Sequence, residues 1–317
     1  MKREAFAAAM TLAAALSGAS LHAQVAPGTD RPAGAAPRRE RPPIVVAPDR
    51  RIPIVLPAEA RARVLADMRE LLSGIQALFT AVSQQDFGSV ARTARGLSRV
   101  AIDDVSPVAP SPFEDDFREL GARMRQDFGR IADAAERRGD GPQTLGRLGI
   151  AMQACVACHQ TFQLNEVYRA PARQGTAEQA VVAGETGTAT PPDRRIPLLA
   201  RPNERAYVLR SMRLYLAGLQ TVLVALSQDD WAAVSETARA LGTINVRDVS
   251  LFSAAKYDVT FRDLALDVHR DFDAIAQSAS ARNTGETLGR LGETMRKCLA
   301  CHRTYRLEDA ARSTGVR

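Results

Sequence analysis

The chain has 317 residues and a formal net charge of +6, and half of that charge lies between Gln24 and Arg51, where six arginines accompany three acidic residues. Because these arginines lie among prolines and alanines in a solvated arm, the charge gives no support for nucleic-acid binding. No segment approaches ~20 consecutive apolar residues, so we expect no transmembrane segment in the mature chain.

The N-terminus has the features of a secretory signal peptide over residues 1–23. Two basic residues precede the apolar run Ala5–Leu16, and small residues follow that run. This order is typical of an exported chain, and we expect cleavage after Ala19 or Ala23. Export in a bacterium places the mature protein in the periplasm. Residues 24–47 are then a disordered arm rich in proline and arginine.

An internal duplication covers the rest of the chain. Pro48–Pro53 (PDRRIP) recurs 144 residues later as Pro192–Pro197. Thr144–Gly149 (TLGRLG) recurs 143 residues later as Thr287–Gly292. A repeat at a nearly fixed offset indicates two copies of one structural unit.

The duplication sets the domain boundaries. We predict a first domain over 48–166 and a second over 192–310, each of an ordinary size for one hydrophobic core. Residues 167–191 between them are rich in Ala, Gly, Thr, Pro and Glu and show no apolar period. That composition predicts a linker.

Each half predicts four helices. Apolar residues recur every three or four positions from Ala58 to Val82, which indicates one buried helix face. Asp86 and Asp230 are suitable N-caps for a short second helix in each half, ending near Leu97 and Leu241. The second half repeats the pattern of the first.

The two remaining helices complete the predicted fold. The third runs through Phe117 and Ile131, and the fourth runs from Thr144 to about Leu164. No strand pattern is present. Four helices with short connections in each half predict an all-α fold of two tandem antiparallel four-helix bundles.

All four cysteines lie in two Cys-x-x-Cys-His motifs, at Cys155–His159 and Cys298–His302. This is the signature of covalent c-type haem attachment, because thiols on one helical turn meet the two vinyl groups of a porphyrin and the adjacent imidazole lies under its iron. We therefore expect two haem c groups, one per bundle. The expected attachment and ligand residues are Cys155, Cys158, His159, Cys298, Cys301 and His302.

Other interpretations of the motif fit less well. Structural zinc takes four protein ligands, and outside the motifs the chain has no cysteine and only His22 and His269. A redox-active dithiol has no need of the histidine that follows both cysteine pairs. A disulfide or a metal site remains the alternative to haem.

Four helices that end in Cys-x-x-Cys-His resemble the cytochrome c′ and cytochrome c-556 family. The resemblance covers both halves and implies that His159 and His302 ligate the haem irons from the fourth helix while the first helix covers the opposite haem face. Family members often carry a basic residue four positions after the histidine. Arg306 matches this feature, whereas Gln163 stands at the equivalent position of the first half.

The resemblance makes Met68 and Met212 the candidates for the second axial ligand. They align 144 residues apart on the first-helix stripe, where the low-spin c-556 branch supplies methionine. The alternative is that they fill the core, which is the usual role of a methionine on a buried stripe. Met152 and Met295 share a helix with the proximal histidine and are assigned to packing. His269 is a weaker candidate for an iron ligand.

Aligned arginines are candidates for binding the haem propionates, since guanidinium matches carboxylate in a two-pronged geometry. Arg69 and Arg213 directly follow the two candidate methionines. Arg147 and Arg290 form the second aligned pair. For any one of them, a solvated helix face is the alternative.

These predictions combine into a periplasmic dihaem c-type cytochrome that carries single electrons between periplasmic or membrane-bound redox proteins and is not an enzyme. We expect low-spin haems with His/Met ligation, and a pseudo-dimer of the two bundles within one chain. One alternative is a cytochrome c′-like protein whose five-coordinate haems bind nitric oxide or carbon monoxide. A haem peroxidase is a third interpretation, with His269 as its only candidate distal group.

Overall fold

A computed structural model describes residues 49–102, 104, 114–166, 193–243 and 257–310. All of them belong to one compact unit. The predicted signal peptide, the arginine-rich arm and the linker lie outside the described residues.

The described chain is helical apart from four short strands, and the all-α prediction is confirmed. The first half contains β1 (Ile52–Leu56), α1 (Ala58–Ser83), α2 (Phe87–Leu97), α3 (Glu114–Arg138), α4 (Gly141–Thr161) and β2 (Phe162–Glu166). The second contains β3 (Ile196–Ala200), α5 (Pro202–Ser227), α6 (Trp231–Leu241), α7 (Val259–Ser280), α8 (Thr284–Thr304) and β4 (Tyr305–Asp309). No described helix is both long enough and apolar enough to cross a bilayer.

The short second helices begin where their predicted caps stand. Asp86 accepts a hydrogen bond from the Ser89 backbone N–H at 2.9 Å, and Asp230 accepts one from the Ala233 N–H at 3.0 Å. Each carboxylate satisfies one of the N–H groups that a helix start leaves unpaired. The two predicted N-caps are therefore confirmed.

The prediction that strands are absent is wrong. β1 pairs in parallel with β2, with Ile52 opposite Phe162, and β3 pairs in the same way with β4. The fourth helix of the first half consequently ends at Thr161 instead of near Leu164. Each strand has five residues, and its partner lies more than 100 residues away, so neither alternation nor a local turn announces the pairing.

The long helices pack across the boundary between the halves. α1 lies along α2 and α8, and α4 lies along α3 and α5. This packing corrects one part of the predicted fold, because neither half packs its first helix along its own fourth helix. Within each half the first and fourth helices stand apart, and each packs along a helix of the other half instead.

Glycines on α4 and α8 allow the close approach. A Cβ atom added to Gly149 would lie 2.8 Å from Val224 Cγ2, and one added to Gly292 would lie 3.3 Å from Thr80 Oγ1. Gly146 likewise faces Ser227 at 3.4 Å. Since residue numbers rise on α4 as they fall on α5, the two helices are antiparallel.

The two halves share one hydrophobic core. Its fully buried members come from helices of both halves and include Phe79, Phe128, Met152, Leu223 and Ile275. Smaller clusters lie under the two sheets. Burying a large apolar side chain stabilises a fold by about 1.5–3 kcal/mol, so a core drawn from both halves ties their stability together.

We expect Gly149→Ala to lower the free energy of unfolding by about 1–3 kcal/mol, because the added methyl group overpacks the contact with Val224. Gly289→Ala on α8 is the matched control, since no atom lies within 4 Å of its added Cβ. The control should stabilise the helix by about 0.5–1 kcal/mol. Urea unfolding measures both effects, and equal behaviour of the two variants would contradict the close approach.

Candidate cofactor site

Both Cys-x-x-Cys-His motifs line a single cavity of about 2160 Å³. The cavity occupies the gap between the first and fourth helices of each half. Pockets for one drug-sized ligand measure roughly 300–1,000 Å³, so this space is large enough for more than one such molecule. Its walls include apolar residues from both halves, among them Leu72, Ile75, Met124, Leu219 and Val268.

The four cysteines are free thiols. Burial raises the pKa of Cys155 and Cys298 to about 12, and it raises that of Cys158 and Cys301 to about 11. A thiol with a raised pKa is protonated at neutral pH. Across the described ranges, no three His, Cys, Asp or Glu side chains are grouped so that they could hold a metal ion.

The motif histidines are neutral imidazoles at the cavity wall. Burial, followed by the charges of Arg51, His302 and Arg213, lowers the pKa of His159 to about 4. Burial also lowers the pKa of His302, with Arg195 and Arg69 contributing. Both residues line the cavity, and part of their surface is accessible. A neutral imidazole has the free lone pair that metal ligation requires.

Met68 and Met212 both line this cavity, but their surroundings differ. Met68 packs partly buried against the cluster that contains Cys158 and Phe162. Met212 is 40% exposed. The first candidate ligand is therefore held by its neighbours, whereas the second has more freedom.

The other two aligned methionines have a packing role. Met152 and Met295 are buried in the shared core, as the sequence predicts, and both also border the cavity.

Both ring nitrogens of His269 have protein partners. Its Nδ1 lies 2.8 Å from the Leu241 carbonyl oxygen, and its Nε2 lies 2.8 Å from the Tyr215 hydroxyl oxygen. The tautomer with the proton on Nδ1 satisfies both contacts, since the hydroxyl then donates to Nε2. Leu71 and Arg125 align with Tyr215 and His269, so this pair distinguishes the second half from the first.

Of the two candidate arginine pairs, only Arg69 and Arg213 line the cavity. The Nη1 atom of Arg213 is buried and has no hydrogen-bond partner among the described residues. Arg290 instead forms an ion pair with Glu286 at 2.8 Å on the outer face of α8. Arg147 lies outside the cavity wall.

The duplicated PDRRIP segment has a structural role that the sequence analysis missed. Arg51 forms an ion pair with Asp49 at 2.6 Å and donates from Nη1 to the carbonyl oxygens of His159 and Phe162 at 3.4 and 3.1 Å. These carbonyls lie at the end of α4, where a helix leaves its last acceptors unpaired. The exact recurrence of PDRRIP in both halves was the sequence signal that could have indicated this role.

The second half repeats this arrangement. Arg195 pairs with Asp193 at 2.6 Å and donates to the carbonyl oxygens of His302 and Tyr305, at 3.4 Å each. We call the two Asp–Arg pairs, with the helix ends that they hold, the Asp–Arg clamps.

The position four residues after each histidine makes the same contact in both halves. Gln163 donates from Nε2 to the Arg51 carbonyl oxygen at 3.1 Å, and Arg306 donates from Nε to the Arg195 carbonyl oxygen at 3.1 Å. The two positions therefore differ in charge but make the same hydrogen bond. Arg306 is also paired with Glu308 at 2.5 Å, which offsets part of that charge.

No family model matches the chain, and comparisons with curated proteins and with solved structures likewise give no match. The functional argument therefore rests on the chain's own residues.

We expect Asp193→Asn to lower the free energy of unfolding by at most about 1 kcal/mol at pH 7, since 41% of the carboxylate side chain is exposed. Arg195 lowers the pKa of Asp193 from 3.8 to about 2. The clamp's contribution is thus fully present above pH 3.8 and is lost as the pH falls towards 2.

Urea unfolding between pH 2 and pH 6 measures this effect. The wild-type and Asp193→Asn curves should converge near pH 2, whereas the exposed Asp263→Asn is the control and should follow the wild type throughout. A difference that persists undiminished at pH 2 would contradict the role of the ion pair.

Proposed function

We propose that the chain is a dihaem c-type cytochrome of the cytochrome c′ and c-556 type, which carries single electrons between other redox proteins. The observation that carries this proposal is that both Cys-x-x-Cys-His motifs, at the ends of equivalent helices, face one large cavity with a methionine of the first helix on its wall. Export to the periplasm, where the partners would be, is part of the proposal and rests on the signal-peptide pattern.

The residues at the cavity fit two haem c groups. Each motif offers two free thiols for thioether bonds to the vinyl groups and one neutral imidazole for the iron. The apolar residues of the wall suit a porphyrin, and the Arg213 guanidinium on the same wall suits a carboxylate. When bound, haem supplies a metal that gains and loses one electron.

The chain's own residues would do the rest. The Asp–Arg clamps fix the helix ends that carry His159 and His302, which keeps the imidazoles in place. The apolar residues of the wall would limit the access of water, and Met68 and Met212 would each supply a second protein ligand to an iron. A Met/His pair raises the reduction potential relative to harder ligands.

The proposed units are two haem-binding four-helix bundles, α1–α4 and α5–α8, interlocked through α1 with α8 and α4 with α5. Each unit keeps an open gap between its first and fourth helices. The cavity occupies that gap, which is where the resemblance implies a haem.

A second candidate function is binding of nitric oxide or carbon monoxide at a five-coordinate haem. The exposure of Met212, in contrast to the packing of Met68, favours it specifically at the second motif.

The experiment that tests the proposal is expression of the full chain in a bacterial host that attaches c-type haem in its periplasm. The denatured polypeptide should retain the mass of two haems. Cys155→Ser/Cys158→Ser should retain one haem, and so should Cys298→Ser/Cys301→Ser. A wild-type chain without covalent haem would overturn the proposal.

Optical spectra of the holoprotein decide between the two candidate functions. Low-spin bands with a far-red methionine–iron feature and no response to carbon monoxide would support electron transfer. Broad high-spin bands that shift with carbon monoxide would support gas binding.

We expect Met68→Ala and Met212→Ala each to convert one low-spin haem to a high-spin haem, because each removes one axial sulfur. Met152→Leu is the control, because Met152 also lines the cavity but is buried on the helix that carries His159, seven residues before it, and cannot serve as the second ligand, so the spectrum should stay low-spin. Unchanged spectra in both alanine variants would remove the methionines from ligation.

A further inference from the structure

We infer that each haem site is completed by an arginine from the other half: Arg213 binds a carboxylate of the group attached at Cys155–His159, and Arg69 binds one of the group attached at Cys298–His302. The inference rests on the proposed function for the identity of the ligand. It reverses the simpler assignment, in which each arginine serves the motif of its own half.

The register of α4 against α5 places Arg213 beside the first motif. The helices are antiparallel and meet closely where Gly149 faces Val224. His159 lies ten residues further along α4, and Arg213 lies eleven residues back along α5, which is roughly 15 Å in each case. The two residues therefore lie at the same level of the helix pair.

The pair α1 and α8 repeats the register for the second motif. Gly292 faces Thr80, and His302 and Arg69 lie ten and eleven residues from these positions. A direct contact confirms the level, because Arg303 donates from Nη2 to Ser73 Oγ at 3.2 Å. Arg69 lies one helical turn before Ser73, and Arg303, the partner of Ser73, directly follows His302.

The surroundings of the two arginines agree with the crossed assignment. Arg213 lies within electrostatic range of Arg51 and Asp49, whereas Arg69 lies within range of Arg195 and Asp193. Each arginine of one half therefore lies near the Asp–Arg clamp of the other half.

The positive charge around Arg213 favours a carboxylate as the ligand. Asp49 offsets only one of the two guanidinium groups at the first site, Arg51 and Arg213, so a positive excess faces the cavity. Arg213 lines the cavity, so its guanidinium can pair with a carboxylate held there. Haem propionates are carboxylates of the required kind.

The test is a redox titration of the intact holoprotein carrying Arg213→Gln or Arg69→Gln. Each change removes a positive charge that favours the reduced iron, so the ratio of oxidised to reduced haem at one site should rise on the order of tenfold. Arg210→Gln is the matched control, since Arg210 is an exposed residue on the same helix.

The same substitutions in the single-motif cysteine variants identify which haem responds. With only the first motif intact, Arg213→Gln should shift the potential and Arg69→Gln should not. With only the second motif intact, Arg69→Gln should shift the potential and Arg213→Gln should not. The pH dependence of the affected potential should also change, because the propionate loses its charged partner, and Arg213→Lys should restore most of the wild-type potential.

Several outcomes would overturn the inference. They are a response of each haem to the arginine of its own half, equal responses to both arginines, or a shift no larger than that of Arg210→Gln. If a single-motif chain fails to accumulate, the same question can be answered in the dihaem chain. Met68→Ala identifies the haem at the first motif by making it high-spin. Arg213→Gln should change the reduction potential of that haem. A wild-type chain without haem would instead overturn the proposed function.

Discussion

The close antiparallel contact of each motif-bearing helix with the first helix of the other half governs the rest of the structure. Gly149 and Gly292 make this contact tight, since a side chain at either position would meet Val224 or Thr80. Because α4 and α8 are occupied on that side by a helix from the other half, neither packs along the first helix of its own half. The gap that remains within each half is the cavity.

This arrangement explains why one cavity holds both motifs. In two separate bundles, each site would be enclosed by its own four helices. Interlocking the halves makes α1 and α5 walls of a common space and brings His302 close enough to His159 to lower the pKa of His159. The hydrophobic core contains residues from helices of both halves, so a loss of packing in one half also lowers the stability of the other.

The duplicated halves retain the same scaffold but differ in polar detail. The Asp–Arg clamps are equivalent in their contacts, and Gln163 and Arg306 donate the same hydrogen bond despite their different charge. The Tyr215–His269 pair belongs to the second half alone. Geometry is therefore conserved where it fixes the motif histidines, whereas the charge and hydrogen bonding around the two sites diverge.

Local signals in the sequence were sufficient for much of the fold. Apolar periodicity located the long helices, and Asp86 and Asp230 marked the starts of the short ones, because capping and amphipathicity involve residues close together in the chain. The parallel strands were missed since each pairs with a segment more than 100 residues away. The clamps were missed for the same reason, although their segment was recognised as a repeat.

The sequence alone determined the helical class, the duplication and the presence of two Cys-x-x-Cys-His motifs, because periodicity, repetition and spacing are local properties of the chain. Only the tertiary structure decided which helices are neighbours, that both motifs share a cavity, and that Arg69 and Arg213 lie near the opposite motif. With the same apolar helix faces, a first helix can pack against the fourth helix of its own half or against that of the other half. The choice depends on side-chain contacts between distant segments, such as Gly149 with Val224, that no local pattern encodes.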